Sequence, residues 1–177
     1  MIDPDPTLTF RARSRPARKA PNLLADQQVD THGRITDVTA DIHADSTANE
    51  AARRPQTIPG IGPITASALV TTRPDGSDSR SGRDPSASIG LSPTPHSTGG
   101  KGRLRRICEM GNRYLRCLLC VSAIAQVSAR RRAEPGEDWL WKIMKWTKPK
   151  QAAIALANRM ARTAHALLKN GPEYRAA

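Results

Sequence analysis

The sequence predicts a mostly α-helical protein: a helix-hairpin-helix followed by a small helical domain, with a disordered basic arm at the N-terminus. Three observations predict it. Residues 57–70 read TIPGIGPITASALV, an apolar residue, Gly-x-Gly and then an Ala-rich apolar run. The stretches 111–132 and 149–170 carry helix-spaced apolar residues, the second with small residues at 152, 153, 155, 157, 161, 164 and 166 that allow close helix approach. Aromatic residues make up only 3% of the chain, so the core must be built from Leu, Ile, Val and Ala.

Each element follows in order. Residues 1–21 have no apolar period, several prolines and a basic run, and read as a disordered basic arm holding the only Phe, Phe10. Residues 22–54 carry Leu23, Leu24, Val29, Ile35, Val38 and Ile42 in a loose helical stripe diluted by Gln28, His32, Gly33, Thr36 and Thr39. They predict one long, frayed helix. The third segment, 55–175, opens on the hairpin. Thr57 is expected to cap a short first helix, which Pro59 limits. Gly60 and Gly62 can take positive φ, and Pro63 suits the first turn of the next helix, 64–70.

Ser, Gly, Asp and Pro then make 71–88 a loop, 86–91 a short helix and 92–103 a second loop. Gly111-Asn112 leads into helix 111–132, with apolar Leu115, Leu118, Leu119 and Ile124 and the cationic end ARRR. Pro135-Gly136 breaks the chain. Trp139 to Trp146 is a short amphipathic helix, Pro149 starts the last helix, and Gly171-Pro172 stops it. There is no internal repeat.

The formal net charge is +12 and the pI about 10.6, which points to a polyanionic partner, most often nucleic acid. No apolar run approaches the length of a membrane span, and no secretory h-region is evident, so a cytoplasmic location is expected by default. Cys117 and Cys120 form a C-x-x-C inside the apolar run YLRCLLCVSAIA, where they read as small helix-core residues rather than a redox pair. With Cys108 alone and His96 and His165 isolated in sequence, no zinc ligand set forms. Asp75, Asp78 and Asp84 read as loop caps or solvated charges, so no metal-dependent nuclease centre is visible.

Two stretches can meet an anion. The backbone of Gly60, Ile61 and Gly62, with the free N–H groups of the helix that follows, can approach a phosphate; the other reading is a plain tight turn. The loop Pro95-His96-Ser97-Thr98-Gly99-Gly100-Lys101 has hydroxyls, consecutive glycines able to cradle an anion, and then Lys101, Arg103, Arg105, Arg106, Arg113 and Arg116. A hydroxyl among cations is what phosphoryl transfer through a covalent intermediate needs. The other reading is a flexible basic loop that only touches a DNA backbone. The frame is neither a Walker loop nor a Gly-x-Ser-x-Gly elbow.

The ordered set TIPGIGPITASALV, SGRD, IGLSP, HSTGGKGRLRRI, GNRYLR and ALANRMARTAHALL resembles the C-terminal half of insertion-sequence transposases of the one-ten family, DEDD-type recombinases guided by a bridge RNA. The likeness runs from about residue 50 to 175, with a weaker echo of the family's central coiled-coil-like helix, including ANEAARR, from Leu23 to Arg54. It implies DNA transposition, a serine nucleophile at Ser97 (or the hydroxyl at Thr98), and Mg held by an N-terminal RuvC-like domain that residues 1–21 do not replace. No cofactor is therefore expected on this chain itself. Implied partners are DNA, a guide RNA, and a further copy or full-length transposase. Gln28, Pro55, Ser79, Pro85 and Ser88 depart from the pattern at positions expected to be bulky or apolar. The expectation is a truncated, partly decayed copy, inactive alone. The other classes are a non-catalytic nucleic-acid-binding remnant and a basic nucleoid-type protein, which would not need the HSTGGK and GNRYLR pair.

Overall fold

Small side chains along residues 149–170 let four other helices close on one long helix. The computed structural model describes residues 15–72, 84–98, 101–133 and 136–171. In chain order the elements are α1 (Arg15–Ala48), α2 (Glu50–Gln56), α3 (Pro63–Thr72), α4 (Asp84–Ser88), β1 (Pro93–Thr98), β2 (Lys101–Ile107), α5 (Arg113–Arg132), α6 (Trp139–Trp146) and α7 (Pro149–Asn170). Residues up to Asp41 form one compact unit and those from Ile42 onward another.

In the first unit α1 is helical from Arg15, inside the stretch expected to be disordered, and it passes through Pro21 and Gly33 without a break. Its apolar residues Leu23, Leu24, Val29, Ile35 and Val38 are all exposed. The expected single helix to residue 54 is instead two. Asn49 sits in an extended conformation, and its side chain accepts from the Ala51 N–H at 3.0 Å, so it starts α2 rather than continuing α1. The Gln56 amide then ties the two together, donating to the Ser46 and Ala52 carbonyls.

In the second unit α7 packs against α2, α4, α5 and α6. Ala152, Ala153, Ala157, Ala161 and Ala164 are buried with Met160 and Leu167; of the other small residues, Ala155 is half-buried and Ala166 exposed. Helix α5 opposes it with Leu115, Leu119, Ala123 and Val127, one residue every fourth position. Each buried Leu here contributes about 1.5–3 kcal/mol by leaving water. Leu118 is only half-buried and Ile124 faces solvent, because the strict four-residue step leaves both beside the contact stripe. The same geometry places Cys120 against the core and leaves Cys117 exposed. Burial pushes the Cys120 thiol up, with Cys117 adding to the effect and Arg116 opposing it.

Asn112 begins α5, Asp138 begins α6, Pro149 begins α7, and Gly171 at φ 78° ends it. An Arg130–Asp138 ion pair of 2.9 Å joins the end of α5 to the start of α6.

The main difference lies at 92–103. The expected loop is a hairpin: β1 and β2 pair antiparallel, Ser97 with Gly102 and Thr98 with Lys101. Proline and glycine suggested a loop, but both strands of a two-stranded sheet are edges, where a missing N–H is tolerated. A register shift separates Pro93 from Pro95. The short helix expected at 86–91 is α4, which stops at Ser88, ahead of Gly90 at φ 79°.

Candidate nucleic-acid interface

The hairpin is held at its root by the residues of three motifs. Gly90 and Gly111 both have positive φ, and there two backbone segments cross closely: a Cβ on Gly90 would meet the Met110 carbonyl, and one on Gly111 the Ser88 carbonyl. Only glycine fits such a crossing. The Cys108 N–H donates to Ser92 O at 2.9 Å and the Glu109 N–H to Gly90 O at 3.2 Å. Asn112 caps α5 by accepting from the Leu115 N–H at 3.0 Å. Arg116, half-buried, donates from Nη1 to the Ile89 carbonyl at 2.8 Å, and Asn158 of α7 donates to the Leu91 carbonyl at 3.1 Å. GNRYLR, IGLSP and the Asn of ALANRM thus converge on one joint.

The sequence-derived site residues divide accordingly. Ser97 and Thr98 end β1, Lys101, Arg103 and Arg105 lie on β2, and Arg103 pairs with His96. Gly99 and Gly100, between the strands, lie outside the described residues, as do Asp75, Asp78 and Ser79. Arg106 and Arg113 are exposed, whereas Arg116 is engaged at the root. In the α2–α3 connection Gly60 has φ 87°, but Gly62 is not at positive φ, and a Cβ there would have open space. A Cβ on Gly60 would meet the Gln126 side chain, which donates to the Pro59 carbonyl and pins the turn to α5. Ile61 is buried, so only its backbone can meet a ligand. Thr57 is the C-terminal cap of α2, its hydroxyl donating to Arg54 O at 2.7 Å.

Composition had already hidden a sharper fact. Residues 1–100 hold eleven Lys and Arg against eleven Asp and Glu, while 101–177 hold seventeen against five. The whole +12 therefore belongs to β2, α5, α6, α7 and the segments joining them. From 139 to 172 there is no Asp or Glu at all. Beside the hairpin root, a groove of about 1370 Å³ runs along α7. Leu91, Pro93, Ile107 and Ile154 give it apolar walls, and Arg106, Arg159 and Trp139 also line it. The Arg159 guanidinium lies 4.7 Å from the centre of the Trp139 ring. These pairings escaped sequence reading, since each joins residues far apart in the chain or on different helices.

Among the described residues no group of three His, Cys, Asp or Glu side chains could hold a metal ion. No helix among them is long and apolar enough to cross a membrane.

The chain belongs to the IS116/IS110/IS902 family of transposases, whose sequence model matches residues 52–136, from α2 through the hairpin and α5. It is 42% identical over 132 residues to a transposase of Sinorhizobium fredii, y4pF/y4sB, covering 73% of this chain and 34% of the relative. It is 39% identical over 128 residues to the transposase for insertion sequence element IS1328 of Yersinia enterocolitica (71% and 38%). It is 33% identical over 155 residues to the transposase for IS1111A of Coxiella burnetii (87% and 43%). The chain thus spans less than half the length of the curated relatives it matches.

Proposed function

We propose that this chain is the DNA-binding C-terminal part of an insertion-sequence transposase and does not cut DNA alone. The observation that carries this reading is the confinement of the entire net charge to 101–177. A duplex binds there through phosphate contacts from Lys101, Arg103, Arg105, Arg106 and Arg113, with Gly99 and Gly100 letting the backbone come close. The connection at Gly60, Ile61 and Gly62 adds backbone contacts in the manner of a helix-hairpin-helix. Phosphate contacts release counterions, so a set of about six would cost on the order of a thousandfold in affinity between 50 and 200 mM salt. Mobility shifts of a duplex across that range test it; tight binding indifferent to salt would count against it.

The serine chemistry belongs to the same proposal. With the acidic domain supplied, Ser97 Oγ attacks a DNA phosphorus, a phosphoserine ester forms, and the displaced sugar oxygen leaves as an alcohol after taking up a proton. Lys101 and Arg103 offset the charge that develops. Ser97→Ala should abolish covalent adducts and leave binding intact, with Thr98→Ala milder. Adducts that vanish only in Thr98→Ala would move the role to Thr98. Family likeness supports a guide RNA as a further partner. A second copy or the full-length protein would bind through α1, where Leu24, Thr31, Ile35, Val38 and Ile42 follow a heptad seam.

A further inference from the structure

The groove along α7 is not accounted for by duplex binding. A duplex offers its phosphates outward and keeps its bases stacked inside, so the apolar walls Leu91, Ile107 and Ile154 gain nothing from one. Trp139 remains 36% exposed on this groove, and the Arg159 guanidinium over its ring makes a flat, cationic surface. Aromatic rings and arginine planes are what unpaired bases stack on, and such stacking is insensitive to sequence. The volume of about 1370 Å³ exceeds the common range for a single small ligand and suits a strand of several nucleotides. Among the described residues Glu109 is the only carboxylate lining it, against Arg106, Arg159 and Arg162. Lys142, Lys145, Lys148 and Lys150, on α6 and at the start of α7, are exposed as well.

We propose that this groove binds single-stranded DNA, with unpaired bases on the Trp139–Arg159 surface and apolar walls, and phosphates on the flanking cations. The proposal rests on the reading of the chain as a DNA-binding protein, and it adds a second, strand-selective subsite to the hairpin's duplex surface. The position of the groove at the hairpin root gives an unpaired strand a place beside the duplex that the hairpin holds.

The test uses the whole chain, a labelled oligodeoxythymidine of about 16 nucleotides, and a labelled duplex, both followed by fluorescence anisotropy. Trp139→Leu and Arg159→Gln should each weaken oligodeoxythymidine binding by about tenfold, in line with the loss of one base stack. Trp139→Phe should restore most of it, and duplex affinity should stay within about twofold. Circular dichroism checks folding; if Trp139→Leu is unfolded, the exposed Arg159→Gln carries the test. Unchanged oligodeoxythymidine binding in a folded Arg159→Gln and Trp139→Leu overturns the proposal. So does stronger binding of oligouridylate, which would assign the groove to RNA, or equal competition by polyglutamate, which would assign it to an acidic peptide. Duplex binding with no oligodeoxythymidine binding sinks this subsite alone, whereas loss of both in the parent chain sinks the DNA-binding reading itself.

Discussion

Replacing Gly90 by alanine should destabilise the second unit far more than the same change at Gly62. At Gly90 the φ of 79° is left-handed, and holding an L-residue there costs about 1–2 kcal/mol. The new Cβ would also run into the Met110 carbonyl oxygen and crowd Arg116 Nη1, which lies 2.9 Å from its position. Neither neighbour is free to give way. Met110 precedes Gly111, itself locked against Ser88, and the Arg116 guanidinium holds the Ile89 carbonyl. Relief therefore means opening the crossing, which weakens the Glu109 N–H bond to Gly90 O at about 1 kcal/mol. The total comes to about 3 kcal/mol, near the upper end of ordinary point substitutions. With a urea m-value of about 2 kcal/mol/M, the unfolding midpoint should fall by about 1.5 M. At Gly62 a Cβ meets nothing, and Ala should be neutral or stabilising by up to about 1 kcal/mol through the unfolded chain. Urea titration of both variants by circular dichroism decides the matter. A Gly90→Ala midpoint within about 0.3 M of the parent, or a Gly62→Ala as damaging as Gly90→Ala, would refute the reasoning.

Leu119→Ala, at the centre of the α5–α7 contact, should cost about 2–5 kcal/mol, while Ile124→Ala on the same helix should cost less than about 0.5 kcal/mol; equal losses in thermal unfolding would contradict the packing described. Asn158→Ala should speed hydrogen exchange of the Cys108 and Glu109 amides about tenfold without touching that of Leu119, since it frees the Leu91 carbonyl at the hairpin root only. At mildly alkaline pH a thiol reagent should modify exposed Cys117 before Cys120, whose thiolate is disfavoured by burial. Because the folded thiol is the more reluctant to ionise, its contribution to stability is complete below the ordinary thiol range and declines as pH rises through the folded value; stability that increases there would reverse the sign.

How much of this was legible beforehand depended on range. The limits of α7 were readable because their signals are local: Pro149 starts the helix and Gly171 stops it. The hairpin was not, because Pro93, Pro95, Gly99 and Gly100 carry the composition of a loop, and strand pairing depends on the partner strand. Residues 15–21 carry prolines and the composition of a coil, although α1 is helical from Arg15. At the candidate site the residue types were visible, but their roles were not. Arg116 read as one more phosphate ligand in a basic run, and only the fold shows its guanidinium turned onto the Ile89 carbonyl, 27 positions earlier in the chain.

That contact bears on what the family motifs do. The contacts of Gly90, Gly111, Asn112, Arg116 and Asn158 fall on residues that flank the hairpin or lead into α5: Met110, Ser88, Leu115, Ile89 and Leu91. A strand of six residues reaches roughly 20 Å, so a small rotation at such a root becomes a displacement of several ångströms at the far end. A hydroxyl that must meet a phosphorus within a fraction of an ångström cannot tolerate that. Two glycine crossings, an arginine and an asparagine from different helices are what a rigid root requires, and a surface that only gathered phosphates would not need them. On the proposed reading, Gly90, Gly111, Asn112, Arg116 and Asn158 fix where the hairpin stands, and the cations of β2 and α5 supply the attraction.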